Sequence, residues 1–374
     1  MNDVNIVKIL NYRNLNKAIK RATRGRFKYK NGAIKFNINY PYSLSFLKEM
    51  INSYEYRTKG YGQFLIKDSK KRIIHVPCFT DKLMQYSINN ILAPVLENMY
   101  IKDSYACIKG KGPQKAVLRL KYFQYKAYRI YKNPILIKID IKSFFYSINR
   151  AEVFDILCGI IKCEDTRILL AEILKFLPSS KGLPLGNLTS QQFANMLLNK
   201  FDQYAKRTLR LEFYLRYADD IFIIVDGKFK AKKILELSKT FLKDKLDLTP
   251  HPKKCYYEPA NNIIGLGHRI IYNKNTGKNK ILLLSRNKNK LYKILKIKEV
   301  TDKSLTGLLN RDSVKDKNKS LLRPATINDI LIRLNSWNGH AKLVKLDRYI
   351  QRVLKRNNIK NIFYTGEKFM KVDV

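Results

Sequence analysis

Leu215 to Val225 reads "LRYADDIFIIV": two apolar runs, rich in β-branched and aromatic residues, separated by Ala218, Asp219 and Asp220. Such runs suit a pleated, half-buried backbone, and Asp tolerates the backbone angles of a tight turn. The stretch therefore predicts a β-hairpin with two adjacent carboxylates at its turn. A purely structural turn would account for that pattern by itself. The surrounding composition makes it unusual, because the 374 residues carry 74 Lys+Arg against 30 Asp+Glu, a formal net charge of +44. Two of the scarce acids stand side by side where a core strand is expected.

A charge of that size repels itself unless a polyanion neutralises it, so nucleic acid is the expected partner. AT-rich coding bias can inflate Lys, but it does not explain why acids are so few. Hydrophobic content of 45% excludes global disorder. No apolar run approaches the ~18–20 residues of a spanning helix, which argues against a membrane. The opening "MNDVNIVKILNYRN" lacks a signal-peptide core, so the expected location is cytoplasmic. Five Cys (78, 107, 158, 163, 255) form no C-x-x-C pair, and His75, His251, His268 and His340 have no metal-ligand spacing. Soft-metal chemistry has little to work with, which leaves hard cations held by carboxylates.

Along the chain, "GQFLIKDSKKRIIHVP" (62–77) alternates about a polar tip and reads as a hairpin. Helical patterns cover 81–99, most of 150–177, the segment from Ser190, and 229–245. "IIGLGHRII" and "KILLLS" read as a strand pair. Beyond about residue 275, Lys/Asn-rich loops alternate with helical patterns, a separate helical lobe in which Trp337 reads as a packing anchor. Strands and helices interleave without βαβ regularity, so the fold class is α+β.

A second acid stands out in "ILIKIDIKSFF" (135–145). Ile135, Ile137 and Ile139 share one face of a strand that ends at Asp140. An acid there is either solvated or a metal ligand. If this strand neighbours the hairpin, Asp140 and Asp219 converge. They can then hold two Mg²⁺ ions ~3.5–4 Å apart, the arrangement that aligns an attacking hydroxyl with a triphosphate.

"YADD" after "DIKSFF" resembles the motifs of reverse transcriptases, over about Tyr54 to Ile270 with a weaker echo in the tail. Residues 53–92 and 102–117 resemble the fingers of the bacterial enzymes, and "LNSWNGHAK" (334–342) resembles a thumb. In "GLPLGNLTSQQ" (182–192), Leu185-Gly186 and Ser190-Gln191 stand where most members have Gln-Gly and Ser-Pro. That pattern is similar to the enzymes of diversity-generating retroelements, which copy a template RNA with errors at adenines.

The resemblance implies a right-hand polymerase with fingers, an antiparallel-sheet palm and a helical thumb. Residues 1–50 would form a basic N-terminal extension, 51–274 the fingers and palm, and 275–374 the thumb. It implies Asp140 and Asp219 as ligands of two Mg²⁺ ions (Mn²⁺ being the substitute), with the Ile141 carbonyl assisting and Asp220 in support. Phe145 would be the gate against a ribose 2′-hydroxyl. Arg72 and Lys67 would hold the triphosphate, and Leu185, Gly186 and Gln191 would line the nucleotide site. Lys254, with Lys253 as competitor, would protonate the leaving pyrophosphate. Without the resemblance, Phe145 reads as core, Arg72 and Lys67 as solvated charges and Gly186 as a turn. The implied partners are a template RNA, a primer, their RNA–DNA hybrid and a small basic accessory protein. The expected activity is RNA-directed DNA synthesis, error-prone in a diversity-generating retroelement. An antiphage-defence or other retroelement enzyme and a non-catalytic RNA-binding module are the alternatives.

Overall fold

The computed structural model describes residues 4–24, 31–67, 71–175, 180–285, 287, 362–364 and 369–371. The hairpin tip at 68–70, the thumb-like motif with Trp337 and most of the expected thumb lie outside the described residues. The chain falls into two compact units, residues 1–116 with 126–260 and residues 117–125 with 261–374.

The first unit begins with helices α1 (Ile6–Ile9), α2 (Tyr12–Ala22), α3 (Asn31–Ile38) and α4 (Tyr40–Asn52). The Asn11 side chain accepts from the Arg13 N–H at 2.9 Å and so caps α2. Leu15, Ala18, Ile19 and Ala22 recur at helical spacing and are buried. They pack on α5 (Phe79–Met99), where Leu83, Met84, Ile88 and Leu92 are buried in turn. The N-terminal helices thus share the main hydrophobic core. Between α4 and α5, β1 (Tyr61–Lys67) and β2 (Lys71–Pro77) form the antiparallel hairpin that the alternation predicts, with Ile66 opposite Arg72 and Lys67 opposite Lys71.

After α6 (Pro113–Ile130) come β3 (Pro134–Ile139), α7 (Phe144–Ser147), α8 (Arg150–Ile160), α9 (Glu164–Leu174) and α10 (Leu188–Gln203). Then follow β4 (Phe213–Tyr217), β5 (Asp220–Asp226), α11 (Lys228–Leu246) and β6 (Tyr256–Pro259). The four strands β3 to β6 form an antiparallel sheet in the order β4-β5-β3-β6. The central strands are buried on both faces, which is why "ILIKI" and "IFIIV" are nearly continuous apolar runs. Helix α11 packs on β3, β5 and β6. Helix α10 is sunk in the core, with Phe193, Leu197 and Phe201 buried beside the polar Asn195 and Asp202.

In the second unit, β7 (Asn262–Gly265), β8 (His268–Asn273) and β9 (Lys278–Leu283) form an antiparallel sheet in that order. This corrects the reading of "IIGLGHRII" as one strand. Leu266 (φ +51) and Gly267 (φ +79) both adopt left-handed angles and close a two-residue hairpin turn inside it. The Gln124 amide of α6 donates to the Ile270 carbonyl at 3.2 Å, which fixes that part of the helix to β8. β10 (Ile362–Tyr364) pairs with β11 (Phe369–Lys371). Among the described residues, no helix is long and apolar enough to cross a membrane.

Candidate active site

β4 and β5 are joined by Ala218 and Asp219, with Tyr217 paired to Asp220 across the turn. Ala218 takes φ +54, the left-handed angle that primed two-residue turns need at their first position. The register of β3 on β5 ends with Ile139 opposite Ile221. The next residue of the chain, Asp140, therefore leaves the sheet beside Asp220. Asp140, Asp219 and Asp220 come together at one end of two adjacent strands.

Burial first, and crowding after it, raise the carboxyls of Asp219 and Asp220. Burial, together with the neighbouring Asp220 and Asp140, pushes the Asp219 carboxyl up to about 6. Burial also raises Asp220, against the pull of Lys138, whose Nζ is 3.6 Å away. Lys254 Nζ donates to Asp140 Oδ2 at 2.7 Å. Lys253, the competing lysine, is exposed, and its backbone N–H bonds the His251 ring at 3.2 Å. The His251 N–H donates to the Asp140 carbonyl at 2.8 Å, and the Lys142 N–H to the Thr249 carbonyl at 2.9 Å. These bonds straddle Ile141, which faces Pro250, and leave the Ile141 carbonyl out of the ladder.

Two carboxylates, a carbonyl outside the ladder and a local surplus of negative charge make a hard, all-oxygen donor set. That chemistry fits Mg²⁺, which keeps several waters and accepts few protein ligands. Among the described residues, no three His, Cys, Asp or Glu side chains close a metal cage by themselves.

The other predicted residues lie on α7, on the loop ahead of α10, on α10 itself and on the β1–β2 hairpin. Phe145 is in α7, partly exposed, with its ring edge-on to Phe144 at 5.4 Å. Its carbonyl accepts the Leu183 N–H at 2.7 Å, which joins α7 to the "GLPLGN" loop. Two residues further, the Leu185 carbonyl accepts the His75 N–H of β2 at 2.7 Å. Gly186 takes φ +108, and a Cβ there would meet the His75 carbonyl oxygen at 2.7 Å. Only glycine serves at that approach. Arg72 is exposed on β2, three residues before His75, and Lys67 stands opposite Lys71 at the end of β1. Gln191, in the first turn of α10, accepts from the Cys107 thiol at 3.3 Å, so its side chain turns toward the 107 loop.

Sequence reasoning passed over what lies beneath the turn. Arg216 and Asp202 are both fully buried. Arg216 Nε donates to Asp202 Oδ1 at 2.8 Å and Nη2 to Oδ2 at 2.6 Å, a two-pronged pair. The Tyr214 hydroxyl donates to Asp202 Oδ1 at 2.5 Å. The available signal was a pair of misplaced charges, an Arg inside the apolar run of β4 and an Asp on a helix buried nearly all round.

A family model described as reverse transcriptase (RNA-dependent DNA polymerase) matches residues 65–270, and the chain belongs to that family. Its mixed helices and antiparallel sheet make the right-hand polymerase fold of that class. Protein YkfC of Escherichia coli strain K12 is 24% identical over 54% of this chain and 64% of its own length. The Retron Ec73 reverse transcriptase of Escherichia coli is 26% identical over 52% of this chain and 66% of its own. The chain thus spans under two thirds of the length of these relatives. Among solved structures, apo telomerase from Candida tropicalis matches at 14% identity and a TM-score of 0.43, over 57% of this chain and 46% of that one. Telomerase from Candida tropicalis in complex with a TWJ fragment of telomeric RNA matches at 13% identity and a TM-score of 0.46, over 84% of this chain and 56% of that one.

Proposed function

We propose that the chain is an RNA-directed DNA polymerase that copies a template RNA into cDNA. The observation that carries this reading is the convergence of Asp140 with Asp219 of the β4–β5 turn and Asp220 at the start of β5, at one end of β3 and β5. Asp140, Asp219 and the Ile141 carbonyl hold the divalent cations, Mg²⁺ or Mn²⁺ in its place, and Asp220 supports them. The cations supply charge neutralisation and alignment of the reacting oxygens. The primer 3′-hydroxyl attacks the α-phosphorus of a deoxynucleoside triphosphate. The hydroxyl proton passes to solvent as the new P–O bond forms and the bond to the β-phosphate oxygen breaks, and Lys254 gives a proton to the departing pyrophosphate. Arg72 and Lys67 hold the triphosphate, Phe145 screens the ribose, and Leu185, Gly186 and Gln191 border the base and sugar.

In domain terms, residues 1–50 are a basic extension, 51–274 the fingers and palm and 275–374 the thumb. The enzyme works in the cytoplasm on a primer and an RNA–DNA hybrid, with a small basic accessory protein. The Leu185-Gly186 and Ser190-Gln191 pairs support error-prone copying in a diversity-generating retroelement. Similarity to the Retron Ec73 enzyme supports a second reading, another retroelement or antiphage-defence reverse transcriptase. Primer extension on an RNA template with Mg²⁺ tests the chemistry: the wild type should extend and Asp219→Ala should not. RNA binding with no synthesis over varied primers and templates would favour the non-catalytic binder. A neighbouring pair of repeats differing only at adenines would separate diversification from the second reading.

A further inference from the structure

Below the acidic turn, one buried side chain touches both the turn and the helix that follows the nucleotide loop. Besides its two-pronged hold on Asp202, Arg216 Nη1 donates to the Ala218 carbonyl at 3.2 Å and to Asn195 Oδ1 at 2.9 Å. Nη2 also reaches the Asn195 carbonyl at 3.4 Å. Asn195 and Asp202 both belong to α10. The backbone at Arg216 is fixed as well. Its N–H donates to the Asp103 carbonyl and its carbonyl accepts from the Tyr105 N–H, each at 3.0 Å.

Ala218 is the residue immediately before Asp219, and it holds a left-handed angle without being glycine. A non-glycine residue keeps such an angle only when its surroundings over-determine it. The Arg216 contact to its carbonyl is one such restraint, delivered from a rigid planar group whose other contacts are already satisfied. Rotation of the 218–219 peptide would carry the Asp219 carboxylate with it.

We infer that Arg216 is a positioning residue: it fixes the Ala218 carbonyl, and thereby the Asp219 carboxylate, to α10 through Asp202 and Asn195. The inference rests on the proposed role of Asp219 as a cation ligand. Its consequence is that cation affinity depends on the Arg216 fork, and not merely on the stability of the buried pair. A lysine at 216 keeps the charge but cannot reach the turn and Asp202 together with the same geometry.

The test is Mn²⁺ binding by the full chain, read as the loss of the free-ion electron paramagnetic resonance signal well below the melting temperature. Arg216→Lys should weaken Mn²⁺ binding by roughly 10–100-fold, the usual effect of losing a group that orients a ligand. Tyr214→Phe removes a hydrogen bond from the same buried network without touching the turn, and should leave the affinity unchanged. RNA binding, retained in both variants, reports the fold. Wild-type Mn²⁺ affinity in folded Arg216→Lys, or an equal loss in Tyr214→Phe, overturns the inference. If Arg216→Lys does not fold, Arg216→Met with Asp202→Leu removes both buried charges together and carries the same expectation. Asp219→Asn separates the two readings. Should it bind Mn²⁺ as the wild type does, or should the wild type bind none, the proposed cation site itself fails.

Discussion

The His75 N–H donates to the Leu185 carbonyl at 2.7 Å, joining the β1–β2 hairpin to the loop ahead of α10. The bond closes only because Gly186, the next residue, has no side chain to strike the His75 carbonyl. Gly186→Ala should force this joint apart at a cost of about 1–3 kcal/mol. If the joint presents Arg72 and Leu185 to the nucleotide, the KM for deoxynucleotide should rise about tenfold or more. Steady-state kinetics beside a thermal melt would check this; an unchanged KM would show that the joint does not serve the nucleotide.

Leu185 contributes its backbone to that joint, so its side chain can be exchanged without breaking it. Leu185→Gln should restore a polar contact and lower misincorporation, because hydrogen bonds left unmade are what penalise a wrong substrate. Sequencing the cDNA products of both enzymes measures it. An unaltered error spectrum would remove Leu185 from any account of fidelity.

Phe145 sits in α7, with its backbone tied to Leu183 and its ring partly exposed. Phe145→Ala should admit ribonucleotides, reducing discrimination against them by about tenfold or more. Single-nucleotide insertion with matched deoxy- and ribonucleotides reads the ratio, and a constant ratio would return Phe145 to a packing role.

Lys254 pairs with Asp140 at 2.7 Å. Lys254→Ala should slow the single-turnover rate by ~10²–10⁴-fold if the lysine is the general acid. Arginine at 254 keeps the ion pair but holds its proton too tightly to give it up. Lys254→Arg should therefore remain slow while restoring the stability lost in the alanine variant. Full recovery of rate by arginine would reduce Lys254 to a structural partner of Asp140.

Asp219 carries a conformational cost whose sign can be measured without any cation. Its carboxyl is raised to about 6 when folded, above the unfolded value near 3.8. Between those values the folded state binds more protons, so stability falls as pH rises through that window and stays reduced above it. Asp219→Asn should be more stable than the wild type at pH 7.5, by up to about 3 kcal/mol, and no more stable at pH 3. Denaturant melts at the two pH values decide it.

The parts of the fold legible in the sequence were those written in short-range pattern. Strand alternation and a polar tip gave the 62–77 hairpin, and unbroken apolar runs gave β3 and β5. The chain order of Asp140 and Asp219 became a site only on the condition that their strands are neighbours, which no local pattern states. Pattern reading missed the turn at Leu266–Gly267 because the apolar residues run straight across it. Arg216 and Asp202 escaped for a related reason. A buried charge is read as an interruption until its partner is known, and the partner lies on a different element. The meeting of His75 with Leu185 is likewise a tertiary event, invisible in either stretch alone.

Because the loop-to-hairpin joint is made from the Leu185 carbonyl and the bare backbone of Gly186, it places no demand on the residue chosen at 185. Mutational drift can therefore alter the side chain at 185 while the mechanical coupling survives. If residue 185 faces the nucleotide as proposed, accuracy of copying becomes, within a single lineage, a trait adjustable one codon at a time, with the scaffold left untouched.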